Sequence, residues 1–244
     1  MIGLGTLINV GTILLGGLLG ILCKKVISER LQQALTKAIG VCVLFVGISG
    51  AIDNMFTISE TEGLVSAGSL MMILSIVIGT LLGELINIEG GLEKFGAFLK
   101  RISKSEKDNS FLDGFLTASF TVCIGAMAVI GALNDGLNKD YSLLIIKSIL
   151  DFVTVLVLSS TMGKGCIFSA IPVLIFQGLI TLLARFVGPV MTELAITNLG
   201  IVGSVLIFCV GLNLVWGKKI KVANMLPALI FAIAFAYVPY VSGI

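Results

Sequence analysis

The sequence predicts an all-α fold: a polytopic membrane bundle of about eight transmembrane helices, forming a single integral membrane domain over residues 1–244. Three observations predict it. Of the residues, 57% are hydrophobic and only 12% are charged, with a mean hydropathy of +1.12. A soluble domain carries about 25% charged residues, so too little polar surface remains here to face water. The apolar residues come in runs of about twenty, the length that crosses a roughly 30 Å hydrocarbon core. Basic residues gather in alternate connections, as they do in chains that cross a membrane repeatedly.

Taken in order, the spans are expected over Ile2–Cys23, Leu31–Ile52, Ser66–Ile86, Phe111–Leu133, Tyr141–Ser160, Cys166–Ala184, Leu194–Trp216 and Val222–Val241. Lys24, Lys25 and Arg30 follow the first. Asp53, Glu60 and Glu62 follow the second, with no lysine or arginine. Lys94, Lys100, Arg101, Lys104 and Lys107 follow the third. Asp135, Lys139 and Asp140 lie in the fourth connection, Lys164 in the fifth, Arg185 and Glu193 in the sixth, and Lys218, Lys219 and Lys221 in the seventh. Lysine and arginine near span ends stay cytoplasmic, so both termini are expected outside a bacterial cytoplasmic (inner) membrane. The first basic residues follow the first apolar run rather than precede it, which argues against a cleavable signal peptide.

The polar stretch from Asn87 to Lys107 repeats Leu92, Phe95, Phe98, Leu99 and Ile102 at helical spacing. Charged residues fill most of the rest. Residues 87–110 are therefore expected to be a cytoplasmic amphipathic segment, lying on the membrane surface as a helix. Two further stretches resemble each other: LLGILCKKVISERLQQALTKAIGVCVLFVGI and LITLLARFVGPVMTELAITNLGIVGSVLIFCVGL. Each has a span, a basic residue, Ser or Thr before Glu, and a second span with matching Gly and Phe. The first span maps onto the sixth, an odd offset, which would set helices one to three and six to eight in opposite orientations. Inverted repeats of this kind are characteristic of secondary transporters.

Polar groups in hydrocarbon are costly, so each asks for a reason. Lys147 and Asp151 share one helix face, with Asp151 roughly 15 Å along its helix and close to the bilayer midplane. Lysine before aspartate is the weaker order for such a pair, so one partner is expected to pair across helices. The pair reads as a site for an ion, proton or polar solute, or as a structural lock. Thr117, Ser119 and Thr121 precede CIGAMAVIGALNDG. There Gly125, Gly131 and Gly136, with Asn134 and Asp135, suggest a helix that breaks near its outer end, or glycines that serve packing. Asn9, Gln177 and Asn213 are expected to hydrogen-bond between helices. Gly16, Gly20, Gly79 and Gly83 have small-xxx-small spacing, a sign of close helix contact.

Several chemistries lack their residues. Histidine is absent, and Cys23, Cys42, Cys123, Cys166 and Cys209 lie singly in or beside apolar runs. No metal site and no cofactor are expected. There is no phosphate loop and no HExxH. Ser148 and Lys147 are adjacent, hence on different faces, which makes a poor dyad. The protein is not expected to be an enzyme. A net charge of +2 gives no reason to expect nucleic acid. The partners expected are the lipid bilayer and a small solute or ion, with homo-oligomerisation left open.

Four runs, GTLINVGTILLGGLLG, CIGAMAVIGALNDGL, LLIIKSILDF and GKGCIFSAIPVLIFQGLITLLA, carry a family resemblance. Together they resemble the YdfK/YqgA-like bacterial membrane proteins, a family defined as a domain of unknown function. The likeness covers essentially the whole chain and implies a multi-spanning membrane protein. Its motif members here are Asn9, Asp135, Lys147, Ser148, Asp151, Lys164 and Gln177. Phe152 stands where the family usually has Gly, and Ala126 where it usually has Pro.

The function expected is that of a secondary transporter or channel for a small solute or ion. Asn9, Asn134, Asp135, Lys147, Asp151 and Gln177 are its candidate binding residues. The alternative is a non-transporting membrane protein, a sensor or an assembly partner.

Overall fold

The computed structural model describes residues 2–24, 28–59, 63–105, 109–124 and 126–238. Lys25, Glu60, Glu62, Lys107, Gly125 and the end of the eighth expected span at Val241 lie outside the described residues. The helices are α1 (Leu4–Lys24), α2 (Glu29–Met55), α3 (Ser69–Ile86), α4 (Ile88–Ile102), α5 (Phe111–Cys123), α6 (Ala126–Asn138), α7 (Ser142–Met162), α8 (Ala170–Leu182), α9 (Ala184–Val187), α10 (Glu193–Trp216) and α11 (Pro227–Phe235). Turns of 3₁₀ helix precede α8 at Lys164–Ser169 and α11 at Val222–Met225. The all-α class holds, with one small exception. Between α2 and α3, β1 (Phe56–Ser59) pairs antiparallel with β2 (Gly63–Ser66).

Among the described residues, six helices are long and apolar enough to cross a membrane, and α5 with α6 makes a seventh if that bent pair counts as one span. The eighth expected span is shorter than its sequence suggested. α11 has nine residues after a four-residue 3₁₀ turn. At about 1.5 Å per residue that length falls short of a roughly 30 Å core. The spans turn large apolar side chains outward, among them Leu15, Leu85 and Ile230. Apolar side chains exposed in this number are stable against lipid and prone to aggregate in water.

The chain divides into two compact units. The first comprises Met1–Ile39, Gly91–Cys123 and Met127–Gly188. Its spine is α1 packed on α7. Gly5 meets Tyr141 and Leu144, Gly16 meets Phe152, and Gly20 meets Leu156 and Ser159, so the two helices run parallel. A Cβ at Gly16 or Gly20 would run into the backbone carbonyl of Phe152 or Leu156. Only glycine lets the two backbones approach so closely. Gly163, at φ 91°, ends α7 and turns the chain into the 3₁₀ segment before α8. Cys166 is buried here, whereas Cys23 and Cys42 are exposed on the helix surfaces.

The fourth expected span is broken, at a different place from the one the sequence suggested. α5 stops at Cys123, α6 starts at Ala126, and their axes differ by 60°. Around Asn134 and Asp135 the helix instead continues to Asn138. The glycines there serve packing. Gly131 lies against Leu144, and Gly136 lies against Thr181 and Ala184.

α4 forms within the polar stretch, and part of its apolar face is taken up by protein. Leu99 is buried in a cluster with Phe111, Phe115 and Leu116, and Leu92 packs against them. Phe95 packs at a tilt against Phe115, with ring centroids 6.1 Å apart. Phe98 and Ile102 remain exposed.

The second unit comprises Gly40–Gly90, Ile124–Ala126 and Pro189–Ile244. α3 and α11 run antiparallel, with Gly79 against Ala228 and Gly83 against the Asn224 carbonyl. α10 starts at an N-cap: the Thr192 hydroxyl accepts from the Ala195 N–H at 3.2 Å. The C-terminal half of α2 packs antiparallel on α10. Gly40 meets Leu214 and Gly50 meets Ser204, while Gly47 meets Phe208 and Gly211 meets Leu44.

At one end of this unit the last turn of α3 and the third connection share ion pairs with the seventh. Lys221 pairs with Glu84 at 3.3 Å and Lys218 with Glu89 at 2.8 Å. The backbone N–H of Glu89 also donates to Asn224 Oδ1 at 2.7 Å. Asn213 differs from its expected role. It closes its own following loop rather than bridging helices, accepting from the N–H groups of Lys219 and Ile220 and donating to the Ile220 carbonyl. The loop after a helix end leaves its own N–H and C=O groups to be satisfied, and an asparagine in the last turn reaches both.

Candidate functional site

α7 places Lys147 and Asp151 one turn apart, beside its midpoint, with 7% and 6% of their surfaces exposed. Lys147 Nζ lies 2.5 Å from Asp151 Oδ2. The unfavourable residue order does not send the partners apart, because each ion gains a second bond across helices. Lys147 Nζ donates to the Val122 carbonyl at 2.7 Å. That carbonyl sits in the last turn of α5, where the helix ending at Cys123 leaves acceptors without an intrahelical donor. The negative end of the helix dipole favours a cation there.

Asp151 is held from the other side. Asn9 of α1 donates through Nδ2 to Asp151 Oδ2 at 2.9 Å. The same nitrogen donates to Gln177 Oε1 of α8 at 3.3 Å. Asn9 and Gln177 are fully buried. Asn9, Lys147, Asp151 and Gln177 therefore form one connected group drawn from three helices, with a backbone carbonyl from a fourth. The group is not fully satisfied. Asn9 Oδ1 and Gln177 Nε2 are buried without a hydrogen-bond partner, as are Thr6 Oγ1, one turn before Asn9, and Ser119 Oγ on α5. Buried polar atoms are nearly always bonded, so unpaired ones mark a place that another polar group can complete.

Asp135 does something different. Fully buried, it accepts from the Gly3 N–H through Oδ1 at 3.1 Å and from the Gly5 N–H through Oδ2 at 3.0 Å. These are unpaired donors at the start of α1, so the carboxylate caps that helix from a neighbouring one and complements its dipole. Asn134 is half-buried, and its backbone carbonyl accepts from the Asp140 N–H. Neither residue bonds to the group around Lys147. Ser148 turns back to the Leu144 carbonyl at 2.6 Å. Beyond the span, Asp140 accepts from the Ser142 N–H at 3.0 Å, which holds its carboxyl below the usual carboxylate range.

One prediction follows from the cap. Asp135→Ala strands the Gly3 and Gly5 donors, and hydrogen bonds to a charged group contribute about 1.5–3 kcal/mol each. The expected result is a lower unfolding midpoint in detergent, with amide exchange accelerated first at the start of α1. Unchanged exchange there would remove the capping role.

Apolar spans of bilayer length, glycine-mediated helix contacts and a buried ion pair held by amides define a polytopic helical membrane protein. The chain matches the family described as "Protein of unknown function (DUF554)" over residues 4–237, and it belongs to that family. It is 30% identical to "Uncharacterized membrane protein YdfK" of Bacillus subtilis (strain 168), over 98% of both chains. It is 29% identical to "Uncharacterized protein YqgA" of Escherichia coli (strain K12), over 94% of both. No solved structure matches it.

The sequence pointed to Lys147, Asp151, Asn9 and Gln177 because each is a polar residue inside an apolar run. It gave no sign of the Val122 carbonyl, since every residue has one and only the helix break frees it. Thr6 carries no signal of its own, since a threonine near a helix start is common.

Proposed function

We propose that this protein is a secondary transporter or channel for a small solute or ion, and that Asn9, Lys147, Asp151 and Gln177 form its binding group. The observation that carries the reading is that buried group, whose orphaned amide atoms sit beside a broken helix. Broken helices offer carbonyls and dipole ends to cargo at membrane depth. The activity proposed is binding and passage, with no covalent chemistry.

The contacts of α2 and α10 support an inverted repeat. One shift of the numbering carries Leu44 onto Phe208, Gly47 onto Gly211, Gly40 onto Ser204 and Gly50 onto Leu214. The contact of Gly47 with Phe208 then mirrors that of Gly211 with Leu44, and Gly40 with Leu214 mirrors Gly50 with Ser204. The same shift carries Ser28 and Glu29 onto Thr192 and Glu193. Contacts that exchange in this way are what a two-fold axis between antiparallel helices produces.

The orientation we propose has the N-terminus outside the cytoplasmic membrane, and the C-terminus outside as well if α11 with its 3₁₀ turn completes an eighth crossing. The charge alternation supports it. So does the sharing of one end of the second unit by the basic third and seventh connections. α4 would then lie at the cytoplasmic surface, with Phe98 and Ile102 in the headgroup layer.

One feature favours the non-transporting alternative. Lys147 and Asp151 are closed on each other, as a structural lock would be. Asp151→Asn separates the two readings. Asparagine keeps an acceptor for Lys147 and Asn9 and removes the charge. A thermal-shift screen of ions, amino acids and small organic acids identifies the cargo first, since a ligand of the folded form raises its stability. The expected result is folded Asp151→Asn protein in reconstituted vesicles with cargo uptake abolished. Wild-type uptake by that variant would refute the binding role.

A further inference from the structure

The unused bonding capacity of the group says what would complete it. The inference rests on the carrier or channel reading of this site. An ammonium has three N–H donors. Lys147 directs one to Asp151 Oδ2 and one to the Val122 carbonyl, which leaves a third. Gln177 Nε2 is a second donor without a partner. On the acceptor side, the bonds from Lys147 and Asn9 both fall on Asp151 Oδ2, which leaves Oδ1. Asn9 Oδ1 is a second acceptor without a partner. The group thus offers two spare donors, on Lys147 and Gln177, and two spare acceptors, on Asp151 and Asn9.

Charge narrows the choice further. Lys147 and Asp151 cancel, and Asn9, Gln177 and the Val122 carbonyl are neutral. A cargo with net charge would place an uncompensated ion near the middle of the span, which is costly in a membrane. A cargo with no charges would leave the spare bonds of both ions to weak partners. We infer that the site takes a small zwitterion, with an ammonium and a carboxylate on one carbon, as in a free α-amino acid. Its carboxylate accepts from Lys147 Nζ and Gln177 Nε2, and its ammonium donates to Asp151 Oδ1 and Asn9 Oδ1.

The test is equilibrium binding to the full chain in lipid nanodiscs, read as a saturable rise in the unfolding midpoint. The probes are the free α-amino acids one by one, then propionate, ethylammonium and sodium chloride. At least one amino acid is expected to bind, while propionate, ethylammonium and salt each give no comparable shift. Gln177→Leu leaves the Lys147–Asp151 and Asn9–Asp151 bonds in place and removes one donor to the carboxylate. It is expected to weaken that amino acid's affinity about tenfold or more. The inference is overturned if no amino acid binds, if propionate, ethylammonium or salt alone shifts the midpoint as far, or if Gln177→Leu binds like wild type. Binding of propionate alone would overturn the zwitterion and leave the carrier reading standing. The carrier reading is judged separately, by uptake with Asp151→Asn.

Discussion

Lys147→Met is expected to destabilise the folded protein by about 3–5 kcal/mol, while the double variant Lys147→Met with Asp151→Leu recovers most of that loss. Removing the lysine leaves the Asp151 carboxylate buried, with Asn9 as its only bonded partner of the original two. The desolvation cost of that ion then stands almost uncompensated. Removing both ions removes the cost and leaves apolar groups of similar size on α7. What remains is the stranded Val122 carbonyl, a loss of about 1 kcal/mol or a little more, while Asn9 Nδ2 keeps its bond to Gln177 Oε1. Chemical unfolding in detergent, followed by helix content, measures all four corners of the cycle. A structural lock would show recovery of both stability and function in the double variant. A binding group would show stability recovered and uptake still absent. If Lys147→Met were no less stable than wild type, the pair would not be the buried ion pair described here.

Much of the fold was legible because the membrane imposes a coarse rule. A span needs about twenty apolar residues, and α1, α2, α3, α7 and α10 begin and end within three residues of where that rule puts them. What it does not encode is a discontinuity inside a span. The break after Cys123 interrupts an apolar run without changing its hydropathy. The glycines that drew attention further on, Gly131 and Gly136, proved to be contact points for Leu144 and Thr181. Glycine permits both a break and a close approach, and composition does not choose between them. The β1–β2 pairing was missed because four-residue strands give too short a period to separate from loop.

The candidate site was legible to the same degree. Lys147 and Asp151 stood out because hydrocarbon makes every ion an exception. Asp135 stood out for the same reason and went elsewhere, since the start of α1 needed an acceptor. Residue type therefore revealed which side chains require partners. Only the packing of α1, α5, α7 and α8 revealed who those partners are.

Gly47→Leu and Gly211→Leu are expected to destabilise the protein by similar amounts, about 1–3 kcal/mol or more each. Gly47 lies against the Phe208 backbone and Gly211 against the Leu44 backbone. A side chain at either would push α2 from α10, because a backbone cannot rotate out of the way as a side chain can. If the two positions are equivalents in an inverted repeat, the two losses should agree within a few tenths of a kcal/mol. The pair together should lose less than the sum, since a helix already displaced by one side chain accommodates the second. Gly178→Leu is the control: nothing lies within 4 Å of a Cβ there, so its midpoint should hardly move. A large loss at Gly47 with none at Gly211 would break the symmetry argument while leaving the Lys147 group intact. The repeat and the site stand on separate observations, and these variants test them apart.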